Sequence, residues 1–187
     1  MELKRSSTAP SMQGLASRQG VSLLVLFVAV DVNEIARLGK DFPWVKPPGC
    51  PRCGQLLWWH GFVPAYFSCL AEAVLLRRLR CSCCGSVHRL KPAGYWWRFR
   101  SSIAEISATI SHRCTFGRWL PDHPRPRQRQ WWRRLQRMTR AVLGLWTASC
   151  VSAFQALSDG GFIPVSLSFE CDNSGVRPPP YLSVSLP

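Results

Sequence analysis

A chain of 187 residues that is 47% hydrophobic and 11% aromatic has room for one domain or two small ones and is too apolar for a disordered polyelectrolyte. Its 24 Lys and Arg against 10 Asp and Glu give a formal charge of +14, and the excess is local: Arg77 to Arg140 holds 16 of the basic residues with only Glu105 and Asp122 for acids, so the remainder balances 8 against 8. A field this concentrated points to a polyanion, nucleic acid first and an anionic membrane surface second, against the plainer alternative of a basic surface that only aids solubility.

Residues 1–20 are rich in Ser, Gln, Gly and Ala, lack apolar periodicity, and read as a disordered leader. Val21 to Val30 is an apolar run with only Ser22 polar. It is shorter than the roughly 20 residues a bilayer span needs. With Lys4, Arg5 and Arg18 before it, the run has the outline of a signal-peptide core, but it passes into Asp31-Val32-Asn33-Glu34 without a small-x-small cleavage site, so a buried strand is the better reading. Asp31 is then the cap of a short helix over Val32–Leu38, with Ile35 and Leu38 inward and Gly39 at its end. Residues 21–46 form this N-terminal strand and helix, and Lys46-Pro47-Pro48-Gly49 is a stiff linker.

Cys50-Pro51-Arg52-Cys53-Gly54 follows, answered by Cys81-Ser82-Cys83-Cys84-Gly85 with 27 residues between the two pairs. Two C-x-x-C-G turns can bring four thiolates to one point, which is what a tetrahedral structural zinc ion takes. The predicted ligands are Cys50, Cys53, Cys81 and Cys84; Cys83 breaks the spacing, and His88 is a neighbour that could replace a thiolate. Four thiolates leave no open position, so one Zn2+ would be structural and not catalytic. The dithiol alternative, a thiol-disulfide oxidoreductase using Cys50 and Cys53, wants a strand before the motif and a helix after it, and leaves the second pair unexplained. The other cysteines, Cys69, Cys83, Cys114, Cys150 and Cys171, are scattered and the total is odd, which reads as reduced thiols in a cytoplasmic protein.

Between the pairs, Gln55 to Val63 reads as a strand turning at Gly61, and Val74 to Arg80 as the strand that delivers the second pair, with Leu75 and Leu79 on one face. Arg77, Arg78 and Arg80 on that strand are candidate phosphate contacts. Lys91-Pro92-Ala93-Gly94 reads as a turn that closes the ribbon, residues 47–94. In Tyr95-Trp96-Trp97-Arg98-Phe99-Arg100 aromatics alternate with Arg98 and Arg100, the composition of a base-stacking, phosphate-pairing surface and equally of a small aromatic core. Ser102 and Glu105 make a capping box for a helix with Ile103, Ile106 and Ile110 inward, ending near His112. From Arg127 to about Leu157 one long amphipathic helix is expected, with Trp132, Leu135, Thr139, Val142, Leu143 and Trp146 on one side and Arg129, Arg133, Arg137 and Arg140 on the other. No acid balances these arginines, so they are candidate nucleic-acid contacts and not only a solvated face. Residues 95–157 make a basic helical region, and 158–187, with Pro178-Pro179-Pro180, an extended or disordered tail.

No paired carboxylates, nucleophile elbow or phosphate loop occur, so catalysis by this chain is not expected. Asp41-Phe42-Pro43-Trp44, the two C-x-x-C-G units, Trp59-His60-Gly61-Phe62, Leu76-Arg77-Arg78-Leu79-Arg80, and His88 with Leu90 together resemble an uncharacterised bacterial domain-of-unknown-function family. Its zinc ribbon is similar to the N-terminal zinc-binding region of insertion-element transposases. The resemblance covers about residues 21–140 and departs from the family at Cys83 and in the Pro-rich Cys114–Arg127 stretch. It implies zinc on the four cysteines and DNA contact by the following helices in a partial helix-turn-helix-like arrangement.

The expected fold is α+β: a small four-cysteine zinc ribbon of short β-strands, an N-terminal strand and helix, and a C-terminal basic helical region. The expected function is non-catalytic DNA binding in the cytoplasm, without a membrane partner. The alternative is a protein-interaction module in which Trp58-Trp59 and Trp96-Trp97 dock a partner chain or a second copy.

Overall fold

A computed structural model describes residues 23–144 and 149–166. Leu23–Val28 forms strand β1, Val32–Leu38 helix α1, and Leu57–Ala65, Val74–Cys81 and Val87–Pro92 strands β2, β3 and β4. Helices α2 (Ile103–Phe116), α3 (Arg125–Met138) and α4 (Cys150–Asp159) follow. The strands form one mixed sheet in the order β1-β4-β3-β2, with β1 parallel to β4 and the other pairs antiparallel. The α+β class is that expected, and the apolar run after Val21 supplies β1 beside the ribbon's last strand.

Local chemistry accounts for most boundaries. Asp31 accepts from the Asn33 N–H and caps α1, and Gly39 ends it. Ser102 accepts from the Glu105 N–H and caps α2, which runs past His112 to Phe116 before Gly117 closes it in the left-handed region. Gly61 is not a turn: β2 continues through it, and a register shift between Trp59 and Phe62 makes His60-Gly61 a bulge opposite β3. Along β3 the buried positions change parity, from Val74 and Leu76 to Leu79 and Cys81, so the strand serves one apolar cluster at each end. Leu75 is only half-buried. Val74 and Leu76 join Val32, Ile35, Phe42, Phe67 and Tyr95; Leu79 and Cys81 join Cys50, Leu57 and Leu90. Trp44 touches both clusters, edge-on to Phe42 at 4.8 Å, which is the packing role of the Asp41–Trp44 motif.

A third cluster holds the helices together through Ile106, Ile110, Trp131, Leu135, Phe154 and Leu157. The single helix expected from Arg127 to Leu157 is broken. After α3 a π-helical turn covers Thr139–Leu143, Gly144 takes φ 80°, and Ser149 caps α4 afresh. Apolar periodicity carries across the break because α3 and α4 feed the same cluster; Trp146 lies outside the described residues. The six residues from Tyr95 to Arg100 divide by exposure. Tyr95 packs edge-on to Phe67, and Trp96 and Phe99 enter the helical cluster, while Trp97, Arg98 and Arg100 stay at the surface.

Candidate metal centre and basic surface

The two C-x-x-C-G units are matching turns. The Cys50 N–H donates to the Gln55 carbonyl and the Gly54 N–H to the Cys50 carbonyl, while across the sheet the Cys81 N–H donates to the Ser86 carbonyl. Gly54 and Gly85 stand at φ 73° and 68°, where a side chain is strained. At Gly49 a Cβ would lie 2.6 Å from the Gly54 carbonyl oxygen, so the first turn closes only over glycine.

These turns gather Cys50, Cys53, Cys81 and Cys84 with all four sulfurs within 4.8 Å of one another. Cys50 Sγ lies 3.7 Å from Cys84 Sγ, and Cys53 Sγ lies 3.4 Å from Cys81 Sγ. A tetrahedral ion with ~2.3 Å bonds to sulfur places its ligands about 3.8 Å apart, so the cluster fits a single metal ion. Cys50 and Cys81 are buried, and Cys84 is at the surface. Cys83 lies outside the quartet, as its spacing implies.

Hydrogen bonds within the cluster shift three of these thiols. Hydrogen bonds from the Ser86 hydroxyl and backbone pull Cys84 down to about 6, and the Cys84 backbone N–H pulls Cys81 below the usual thiol range. At Cys53 the Gln55 N–H pulls down, but the Cys81 sulfur, burial and the sulfurs of Cys84 and Cys50 outweigh it and push the thiol up to about 12. Four thiolates this close repel one another, and a divalent cation relieves that repulsion.

His88 is fully buried, with Nε2 3.3 Å from Cys50 Sγ. It stands behind the quartet as a hydrogen-bonding neighbour of one ligand. Burial, helped by the Arg52 guanidinium, lowers its pKa and favours the neutral ring. Arg52 in turn donates to the Ser86 hydroxyl at 2.9 Å, which ties the two turns together.

The predicted basic residues fall in three places. Arg129, Arg133 and Arg137 lie exposed along α3, and Arg140 follows, exposed, on the π-helical turn. On β3, Arg80 is exposed, Arg77 lies against Trp59 and Phe62 at 4.8 and 4.4 Å from their ring centres, and Arg78 stands opposite Arg89 in register. Arg98 lies 3.8 Å from the centre of the Trp97 ring and Arg100 lies 5.1 Å from that of Tyr66. Among the described residues Glu34 pairs with Arg37 and Glu105 with His123, and no carboxylate pairs with any of these arginines.

Arg98 and Arg100 border a groove of about 460 Å³ whose lining includes Tyr66, Trp97, Arg89 and Lys91 and, among the described residues, contains no acid. Sequence reasoning passed over Arg89 and Lys91. Lys91 is in β4 and not in a turn; it is 4% exposed and donates to the carbonyls of Trp96, Trp97 and Phe99 at 2.6, 3.2 and 2.8 Å. It thereby shapes the segment that carries Arg98 and Arg100. The available signal was its place just before an aromatic run rich in backbone acceptors.

The remaining thiols need one correction. Cys114 and Cys150 are not scattered reduced cysteines; they form a disulfide between α2 and α4. The sequence places them 36 residues apart, and only the packing of α4 against α2 brings them together. Cys171 lies outside the described residues. Among the described residues no helix is long and apolar enough to cross a membrane. Comparison with models of protein families, with curated proteins and with solved structures finds no match.

Proposed function

We propose that this chain is a non-catalytic nucleic-acid-binding protein, with DNA as its partner and one structural zinc ion on Cys50, Cys53, Cys81 and Cys84. Zinc is the usual occupant of a closed four-thiolate tetrahedron. The ion would brace the turns from which β2 leaves and into which β3 runs, and so fix the basic strands beside it. The transposase-like ribbon resemblance agrees with a DNA partner.

The observation that carries the reading is the unneutralised arginine row. Arg129, Arg133, Arg137 and Arg140 are all exposed, and none pairs with a carboxylate among the described residues. An ordinary surface helix interleaves acids with such residues. A row of cations along a helix suits a phosphate backbone, where each contact releases condensed counterions.

The test is the salt dependence of duplex binding. Arg133→Ala and Arg137→Ala should each flatten the slope of log affinity against log salt by about 0.9. Unchanged slopes would remove α3 from the interface.

One observation favours a second reading. Leu56, Trp58 and Trp59 are 67%, 62% and 37% exposed, and Trp58 and Trp59 lie on β2, an edge strand of the sheet. Exposed aromatics on a free edge suit docking of a partner chain or a second copy. Trp96, by contrast, is taken up in the helical cluster. A pull-down that survives nuclease treatment and is lost in Trp58→Ala would support this reading.

A further inference from the structure

We propose that the groove bordered by the end of β2, by β4 and by the Trp97–Arg100 segment binds single-stranded nucleic acid, with unpaired bases stacked on Tyr66 and Trp97. The proposal rests on the nucleic-acid reading above and adds the state of the strand and the place where its bases sit.

Three observations lead there. First, Tyr66 and Trp97 are 55% and 42% exposed, large aromatic faces left at the surface beside a cleft. Each has a guanidinium against it, Arg100 for Tyr66 and Arg98 for Trp97. Alternating rings and arginines serve a strand whose bases are free to leave the stack; in a duplex the base faces are already covered.

Second, β4 turns a cation into the groove that has no partner of its own. Arg89 lies directly across from Arg78, a like-charge neighbour on the adjoining strand, and such pairs are destabilising. The Nε atoms of both are buried without a hydrogen-bond acceptor. No carboxylate reaches either among the described residues. Of the two, Arg89 lines the groove, and a backbone phosphate there supplies the counter-charge that no carboxylate among the described residues provides.

Third, the rim is built rather than incidental. The Lys91 ammonium lies under the segment and ties down the carbonyls of Trp96, Trp97 and Phe99, which would otherwise be free to rearrange. Strand alternation places Arg89 and Lys91 on the side of β4 opposite His88, so the groove and the metal centre occupy different faces of that strand. The groove is also separate from the arginine row of α3, which allows each to be altered alone.

The experiment measures anisotropy of a fluorescein-labelled oligothymidylate and of a labelled hairpin duplex at low salt, with wild type, Tyr66→Ala, Trp97→Ala and Trp97→Phe. Each alanine variant should weaken the oligothymidylate by about tenfold, the effect of one lost base–ring stack, and leave the duplex within twofold. Trp97→Phe should restore most of the loss, and urea melts should match wild type. Equal weakening of both probes, or no weakening of either, would overturn the proposal and leave the α3 reading standing. Binding of neither probe by wild type would overturn both. A labelled polyglutamate bound as tightly as the oligothymidylate would show that the groove reads charge alone, and would overturn the proposal too.

Discussion

A lysine that is 4% exposed must find its acceptors inside the protein, and Lys91 finds three in the carbonyls of Trp96, Trp97 and Phe99. Its ammonium also lies 5.9 and 5.7 Å from the ring centres of Phe67 and Tyr95. Burial, with Arg89 nearby, still lowers its pKa to about 8 from the ordinary 10.5. Between those values the folded chain releases this proton while the unfolded chain keeps it, so stability should rise as pH goes from 8 toward 10. Tyr95 opposes the trend higher up. Burial and the Cys69 thiol raise its pKa above the ordinary 10, so beyond pH 10 the unfolded state ionises first and stability falls. Urea melts across this range should therefore show a maximum near pH 10, and Lys91→Met should flatten the rising limb. A wild-type stability that falls steadily from pH 8 would contradict the placement of Lys91. Gln128 plays a comparable part between the helices. It is fully buried, donates to the carbonyls of Leu120 and His123, and accepts from the Leu120 N–H, so one amide fixes the loop that joins α2 to α3.

At the scale of elements, α4 is attached twice, by apolar packing into the helical cluster and by the Cys114–Cys150 bridge to α2. A crosslink over 36 residues removes unfolded-state entropy worth about 4 kcal/mol. Replacing both cysteines by serine should lower the unfolding free energy of the helical region, read from urea melts, by that order and leave metal content unchanged. A reducing cytoplasm would have the same effect as the double variant, because the bridge requires an oxidising setting to persist. Non-reducing peptide mapping of protein taken directly from cells shows which form is present; a melt insensitive to reductant would mean that packing alone holds α4. The helix α3 ends where its sequence still looks helical. Leu135 and Met138 continue the inward face and a π-helical turn carries the chain on to Leu143, where Gly144 ends it and the Ser149 cap starts α4 afresh.

Across the whole molecule, what the sequence made legible was what depends on neighbours in the chain. The Asp31 and Ser102 caps, the inward Ile106 and Ile110, and the matched C-x-x-C-G turns are all local signals, and each stands in the structure where it was expected. What was not legible depends on residues that meet only after folding. The parallel pairing of β1 with β4, the Arg78–Arg89 juxtaposition, the acceptors of Lys91 and the Cys114–Cys150 bridge carry no local signature. At Gly61 a bulge stands where a turn is expected, because glycine marks a turn and a bulge alike. Sheet and cysteines together imply a division of labour. On the proposed reading, a metal on the four cysteines would hold the turns of β2 and β3 and so brace the basic strand that runs between them. The most direct test of that division is a chelator titration in which zinc release and binding of a labelled oligonucleotide are followed in the same sample. One zinc per chain should leave, and binding should be lost in step with it. Full binding after the metal is stripped, or protein isolated with no zinc at all, would contradict the account.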